Sequence, residues 1–365
     1  MSVAAAELVE QVRGAGPQLE AAGRQAEIDR ALPPEVVDLL RELGLFWLKT
    51  PEELGGRPLD PVGFCDVLEE VAYHDASAGW AVMVGNGTTG YLAGALPDEG
   101  VREVFPPGGP LPIMAGQFVP RGTGTRADGG YRITGRWSFA SGITHADWVT
   151  GGFHVEDDGD VRIFCIPKAQ AEVLDTWHVA GLQGTGSHDF AIDGLLVPAA
   201  RTMRALGEPV RRGGPLFRQP VKLFVGNELG PVAVGIARRA LDDMRAAATP
   251  ARGERAAFRK SLGQADARIR AARLLYLDTV ALGWERFERG RADDALVDLC
   301  MSRWTYAVEL CLEAVDGLFR YAGARALSLD DPMQRHLRNL LAARQHLFVS
   351  EENFEVAGGA LLAGD

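Results

Sequence analysis

The stretch GGYRITGRWSFASGITHADW, residues 129–148, decides the fold class of this 365-residue chain. Large side chains alternate along it at Tyr131, Ile133 and Trp137, which is the period of a β-strand with one buried face. The stretch begins with paired glycines, and no helical repeat runs through it. The stretch therefore predicts a strand inside a β-rich segment.

Further strands are predicted beyond this stretch. Short apolar and β-branched runs follow one another, separated by turn residues. They span residues 147–155, 161–167, 171–177 and 188–198. With the residues from about 110 onward they predict a sheet domain of roughly a hundred residues.

Helices are predicted on both sides of this domain. On the N-terminal side, PPEVVDLLRELGLF (33–46) and 61–74 are amphipathic, and 77–96 is an internal helix rich in small residues, with GNG at 85–87 as an interruption. On the C-terminal side, four long segments predict a bundle. They are 221–247, 252–289, 293–322 and 332–349.

The predicted fold class is therefore α+β. It has an N-terminal helical domain over residues 1–110, a central β-barrel or sandwich over 111–215, and a C-terminal four-helix bundle over 216–365.

Composition excludes several classes of protein. A net charge of −11 argues against nucleic-acid binding, which requires clustered Lys and Arg. The longest apolar runs fall short of the roughly 20 residues that cross a bilayer, and the N-terminus lacks a signal pattern, so a cytoplasmic protein is expected. The four cysteines are far apart, so we expect buried free thiols and neither a metal site nor disulfides. They are Cys65, Cys165, Cys300 and Cys311.

Four stretches resemble the acyl-CoA dehydrogenase superfamily, and specifically its two-component, group D flavin-dependent monooxygenase branch. They are AEIDRALPPEVVDLLRELGLFWLKTPEELGG (26–56), the opening stretch 129–148, WHVAGLQGTGSHD (177–189) and DPMQRHLRNLLAARQHLFVSEENFEVAGGALLAG (331–364). The resemblance implies the acyl-CoA dehydrogenase-like fold and a homotetramer. It also implies reduced FMN or FAD as cofactor, supplied by a separate NAD(P)H-dependent flavin reductase. This agrees with the lack of a G-x-G-x-x-G nicotinamide motif after a predicted strand.

The resemblance also implies a cofactor site. Ser141 stands where a hydroxyl bonds the N5 and O4 region of the flavin, and Phe139 where an aromatic packs near its ring. His346, in the predicted last helix, stands where a His positions or deprotonates a substrate hydroxyl or stabilises the oxygen adduct of the flavin. Further cofactor contacts are expected from Gln117, from the exposed amides and hydroxyls of Gly184, Thr185, Gly186 and Ser187, and, toward a neighbouring subunit, from Arg255, Phe258 and Gln264.

The expected substrate pocket is lined by aromatic and polar side chains. Trp80, Asn86, Trp177 and His346 are its candidate residues. The expected substrate is a small aromatic, polyketide-like, amine or sulfur compound, since no residue separates these classes.

Two departures keep alternatives open. Asn339 follows Arg338 where the branch has Asp, and no second His follows Gly79-Trp80. One alternative is an acyl-CoA dehydrogenase that desaturates a thioester and needs a carboxylate base. Its candidates are Glu313, Glu351, Glu352 and Glu355. The other alternative is a flavin-free relative that serves as a binding protein or a non-redox enzyme.

Overall fold

The computed structural model describes residues 2–157, 159–205 and 207–363. In these ranges five helices precede a sheet and seven helices follow it. The predicted outer domain limits, residues 1 and 365, lie outside the described residues.

The N-terminal region is helical, as the sequence predicts. Asp60 caps the third helix by accepting from the Gly63 N–H, and Pro61 occupies its first position. The helices are α1 (Val3–Asp29), α2 (Pro34–Glu42), α3 (Pro61–His74), α4 (Ala76–Ala95) and α5 (Asp98–Val104).

The predicted interruption at 85–87 is wrong, because α4 runs through it. A Cβ on Gly85 would lie 2.9 Å from the Phe46 ring, and one on Gly87 would lie 3.2 Å from Oε2 of Glu228. These glycines therefore serve close packing against neighbours rather than a turn.

The seven strands hydrogen-bond into one sheet in the order β5-β6-β2-β1-β3-β4-β7. The pair β1 and β3 is parallel, and the other pairs are antiparallel. Tyr131, Ile133 and Trp137 all lie on the buried face, as their alternation predicts. The strands are β1 (Met114–Ala127), β2 (Gly130–Trp137), β3 (Trp148–Val155), β4 (Val161–Pro167), β5 (Glu172–Leu174), β6 (Asp189–Pro198) and β7 (Thr202–Arg204).

The C-terminal region contains the predicted bundle, although several of its helix limits differ from the prediction. The predicted helix 221–247 is broken at 227–228, and the predicted helix 332–349 ends at Ala343. The helices are α6 (Val221–Gly226), α7 (Leu229–Ala246), α8 (Pro250–Gly253), α9 (Ala256–Glu288), α10 (Asp294–Phe319), α11 (Pro332–Ala343) and α12 (Glu352–Ala363). The four bundle helices are α7, α9, α10 and α11.

The break between α6 and α7 binds a buried lysine. Nζ of Lys49 donates to Oε1 of Glu228 at 2.5 Å and to the carbonyl of Phe224. Lys49 is 1% exposed and Glu228 is 3% exposed. The break thus gives the buried lysine both a carboxylate partner and a carbonyl acceptor at the end of α6.

The N-terminal helices and the bundle share one hydrophobic core. Leu8 of α1, Phe64 of α3 and Trp304 of α10 belong to the same buried cluster. The four cysteine thiols are all buried, as predicted. Over the described ranges, no helix is both long and apolar enough to cross a membrane.

Candidate active site

The candidate site is centred on the turn that follows β2. Trp137 ends the strand in the core, and the next residues turn sharply, with φ of 62° at Phe139 and 82° at Gly142. A positive φ is unfavourable for a bulky aromatic residue and is found mainly at functional sites. The Phe139 ring is nevertheless 68% exposed. The backbone therefore presents an aromatic face to solvent at a conformational cost.

The loop 182–188 holds this turn in place. The Ala140 N–H donates to the His188 carbonyl at 3.1 Å, and the Gly142 N–H donates to the Thr185 carbonyl at 2.9 Å. The prediction that this loop exposes its amides and hydroxyls is wrong, because residues 184–188 are all buried. A Cβ on Gly184 would lie 2.8 Å from Cβ of Ala26, so the glycine allows the loop to pack against α1.

Ser141 receives hydrogen bonds from two neighbours. Nε1 of Trp80 donates to its hydroxyl at 3.2 Å, and the Ser187 hydroxyl donates to it at 2.7 Å. The Ser187 hydroxyl also lies 2.7 Å from that of Thr185. The three hydroxyls are buried, and Ser141 alone stands in the turn beside Phe139.

His346 lies on the other side of Trp80. The two rings pack edge to face with their centroids 5.8 Å apart. The sequence placed His346 in the last helix, but α11 ends at Ala343 and His346 caps the short 3-10 helix Leu347–Val349. Its Nδ1 accepts from the Phe348 N–H at 3.3 Å.

The state of the His346 ring follows from these contacts. Burial lowers its pKa to about 4, so the imidazole is neutral at pH 7. A neutral imidazole that accepts at Nδ1 carries its hydrogen on Nε2. Across residues 2–157, 159–205 and 207–363, no hydrogen bond engages Nε2, so this atom is available to a ligand as a donor.

Two further predicted residues flank Phe139. The ring of Trp177 stands perpendicular to it at 6.2 Å between centroids, and its Nε1 donates to the Gln183 carbonyl at 3.1 Å. Nε2 of Gln117, on β1, donates to the Ser138 carbonyl at 3.3 Å. The structure thus gathers the predicted aromatic, hydroxyl and imidazole groups around one turn.

Comparison with known proteins shows which family the chain is similar to. Residues 7–105 match the model for the acyl-CoA dehydrogenase N-terminal domain, and residues 228–351 match the model for its C-terminal domain. The chain is 29% identical to indole-3-acetate monooxygenase of Pseudomonas putida over 351 residues, covering 92% of this chain and 89% of that protein. It is 28% identical to HsaA of Mycobacterium tuberculosis, the oxygenase subunit of a flavin-dependent monooxygenase, covering 90% of this chain and 88% of that protein.

A solved structure extends the likeness along the whole chain. The structure of XiaF from Streptomyces sp., in complex with FADH2 and glycerol, superposes with a TM-score of 0.89 at 26% identity, covering 99% of this chain and 96% of that one. This chain belongs to the acyl-CoA dehydrogenase superfamily, in its flavin-dependent monooxygenase branch.

The residues around the turn fit the flavin of this superfamily. An isoalloxazine ring is flat and largely apolar, with polar atoms at one edge. The exposed Phe139 face, at a backbone conformation that costs energy, suits its apolar surface, and the Ser141 hydroxyl suits its polar edge. The donor set therefore matches the group that the superfamily carries.

Asn86 was predicted to bind substrate, and the structure gives it another role. Its Oδ1 accepts from the Lys49 N–H at 3.0 Å, while its Nδ2 donates to the carbonyls of Leu45 and Val82 at 2.7 and 2.8 Å. The side chain is 0% exposed. Because both amide atoms bond to the backbone in the core, Asn86 ties α4 to the preceding loop and is not available to a substrate.

The segment predicted to reach a neighbouring subunit's flavin lies at the start of α9. Arg255 and Gln264 are exposed, whereas Phe258 is 2% exposed and packs in the bundle core under Arg252. Phe258 is therefore corrected to a core residue, since a buried ring cannot contact a second chain. Arg255 and Gln264 stay predictions.

Sequence reasoning missed how Asn339 acts. Its Oδ1 accepts from the Leu182 N–H at 2.7 Å, and Leu182 has a φ of 53°. Neighbouring Arg338 donates to Oε1 of Glu27 at 2.7 Å and to the Ala180 carbonyl. The Arg-Asn pair thus ties α11 to the loop that holds Ser141. The Arg-Asp pair of the monooxygenase branch could have revealed this role, because the amide oxygen of Asn can accept the same hydrogen bond as the carboxylate of Asp.

The candidate carboxylates for a dehydrogenase are all exposed. Glu351 pairs with Arg344 at 2.9 Å, and Glu313 pairs with Arg268 at 3.1 Å, with the carboxylate side chains 77% and 58% exposed. Glu352 and Glu355 are exposed on α12. Solvated carboxylates of this kind lack the buried setting that makes a strong base.

Proposed function

We propose that this protein is the oxygenase component of a two-component flavin-dependent monooxygenase. It takes reduced FMN or FAD from a separate reductase and oxygenates a small organic substrate. The observation that carries the proposal is the Ser141 hydroxyl, held between Trp80 and Ser187 beside the exposed ring of Phe139. The relatives named as monooxygenases support it.

The protein's own groups have separate tasks. Phe139 and Trp177 give the flavin and substrate aromatic walls, and Ser141 fixes the polar edge of the flavin ring. Reduced flavin, when bound, supplies the electrons that activate oxygen. His346 donates from Nε2 to an oxygen acceptor, since its lowered pKa keeps it neutral and its Nδ1 is occupied. Of its expected roles, a hydrogen-bond donor therefore fits better than a base.

An aromatic ring is the substrate class that fits best. Trp80, Trp177 and Phe139 present faces and edges that attract another ring. The names of relatives that act on indole-3-acetate and resorcinol point the same way.

Two partners complete the proposal. A separate NAD(P)H-dependent reductase is implied by relatives named as oxygenase subunits or components. A homotetramer is supported by exposed apolar side chains on the bundle and on the last helix, where a second copy would cover them. They include Leu274, Tyr306, Leu341 and Val356. The cytoplasmic location stays a prediction.

Flavin titration separates this function from its alternatives. Under anaerobic conditions the purified protein should bind reduced FMN or FAD, followed by fluorescence or calorimetry. On mixing with oxygen it should pass through a transient absorbance that belongs to neither reduced nor oxidised flavin. Bleaching of bound oxidised flavin by an acyl-CoA ester would support a dehydrogenase instead. Failure to bind either redox form would support the flavin-free alternative.

A further inference from the structure

Three buried hydroxyls form a continuous chain that ends at the candidate flavin edge. Thr185 is 2.7 Å from Ser187, and Ser187 is 2.7 Å from Ser141, measured between oxygens. They are 0%, 2% and 9% exposed. Each hydroxyl carries one hydrogen and two lone pairs, so the direction of every bond in the chain restricts the next.

Two donors converge on Ser141 in the observed arrangement. The indole Nε1 of Trp80 can only donate, and Ser187 donates as well. Both lone pairs of the Ser141 oxygen are then used. Only the hydroxyl hydrogen of Ser141 then remains free, so Ser141 acts as a hydrogen-bond donor toward a bound ligand.

Thr185 gives the chain a second arrangement. Its hydroxyl lies 2.7 Å from two acceptors, the Leu182 carbonyl and the Ser187 oxygen, and its one hydrogen serves one of them at a time. When the Thr185 hydroxyl donates to the Leu182 carbonyl, the hydrogen bond between Thr185 and Ser187 must be donated by Ser187. Ser141 then donates to Ser187 and presents a lone pair instead.

Neither arrangement leaves a buried carbonyl unpaired. When the Thr185 hydroxyl turns toward Ser187, the Leu182 carbonyl still accepts from the Thr185 backbone N–H at 3.2 Å and lies 3.3 Å from Nε1 of Trp177. Losing its only partner would cost a buried group on the order of 1–3 kcal/mol. These contacts remove that penalty, so neither direction of the chain is blocked by an unpaired carbonyl.

We infer that Thr185 and Ser187 are positioning residues that switch Ser141 between hydrogen donor and acceptor, so that it can bond N5 of the flavin in both redox states. This rests on the proposed function. N5 of an oxidised isoalloxazine is an acceptor, and N5 of the reduced ring carries a hydrogen. Only three hydroxyl hydrogens rotate, and no covalent bond or net charge changes. The chain lets one serine bond both forms of N5.

The test compares the dissociation constants of oxidised and reduced flavin in variants of the chain. Thr185→Val leaves Ser187 able to donate to Ser141 but removes the acceptor on which the reverse direction depends. In Thr185→Val the dissociation constant of reduced flavin should rise roughly fivefold more than that of oxidised flavin, the effect of about one hydrogen bond. The midpoint potential of the bound flavin should fall to match. Thr185→Ser should restore the wild-type ratio. Thr279→Val, a buried threonine bonded to a helix carbonyl in α9, is the matched control.

The wild-type protein supplies a second measurement that needs no variant. Nitrogen NMR of bound flavin labelled at N5 should show N5 hydrogen-bonded in both redox states. A hydrogen bond in one state only, or equal weakening of both forms by Thr185→Val, overturns the switch while leaving the proposed function in place. Absence of flavin binding by the wild type overturns both.

Discussion

Oδ1 of Asn339, on the last bundle helix, accepts the backbone N–H of Leu182 at 2.7 Å and so anchors the loop that holds Ser141. Asn339 is 5% exposed, and Leu182 is 3% exposed with a positive φ. The C-terminal bundle therefore positions a residue of the sheet domain through one hydrogen bond.

Replacing Asn339 tests this link. Asn339→Ala leaves a buried N–H unpaired and should lower the free energy of unfolding by about 1–3 kcal/mol and weaken flavin binding. Asn339→Asp keeps the acceptor and should retain flavin affinity within about twofold. Chemical denaturation and flavin titration measure both effects. Equal affinity loss in the two variants would mean that the acceptor does not matter.

His346 offers two replacements that separate its two nitrogens. Asn can retain the acceptor that caps Phe348 but lacks the distal donor, whereas Gln can place an N–H near the position of Nε2. His346→Asn should lower the coupling of oxygen consumption to product about tenfold or more, and His346→Gln should lower it less. The check is the ratio of product to peroxide at equal flavin occupancy. Unchanged coupling in His346→Asn would remove His346 from the site.

Part of the pH dependence of stability follows from the same side chain. Burial lowers the pKa of His346 to about 4, below the roughly 6.5 of an unfolded chain. The unfolded state therefore takes up the proton first, and stability is lost as the pH falls from about 6.5 to 4. His346→Gln should reduce this loss by about 1–3 kcal/mol in denaturation curves between pH 7 and 4.5. Parallel curves would contradict a half-buried, neutral imidazole.

The buried Lys49–Glu228 pair should hold the N-terminal helices to the bundle. Lys49→Met leaves Glu228, whose pKa burial raises to about 7, without its partner and should cost about 3–5 kcal/mol. The double variant Lys49→Met, Glu228→Leu should recover most of that loss, because it removes both buried charges. Thermal unfolding of the single and double variants decides the matter. An additive loss in the double variant would contradict the pairing.

Asn86 should behave as a structural residue. Asn86→Asp keeps the acceptor for the Lys49 N–H but loses both donations, to Leu45 and Val82. It should lower the free energy of unfolding by about 1–3 kcal/mol or more. Folded Asn86→Asp protein should show a KM for substrate within about twofold of wild type. A selective rise in KM at unchanged stability would restore the substrate-binding prediction.

Much of the fold could be predicted because periodicity records which face of an element is buried. The limits Pro61–His74 of α3 and the alternation of Tyr131, Ile133 and Trp137 follow directly from such patterns. The continuity of α4 through GNG could not be predicted, because those glycines pack against Phe46 and Glu228, which are distant in sequence. Long-range packing of this kind leaves no local pattern.

Part of the candidate site could also be predicted from the sequence, and part could not. Ser141, Phe139 and His346 could be placed by resemblance, since each stands in a short recognisable stretch. The burial of the GTGS hydroxyls could not, because it depends on three segments converging: Thr185 with Ser187, Ser141 after β2, and Trp80 on α4. The end of α11 before His346 also could not be predicted, because the apolar pattern continues into a 3-10 turn.

Oxygen labelling tests the central claim most directly. The protein, reduced FMN or FAD from a reductase, and small aromatic substrates such as indole-3-acetate or resorcinol should be incubated under labelled oxygen gas. The account predicts a product that carries one labelled oxygen atom and forms only when reduced flavin is supplied. Product whose new oxygen comes from water, or desaturated product with no new oxygen, would contradict it.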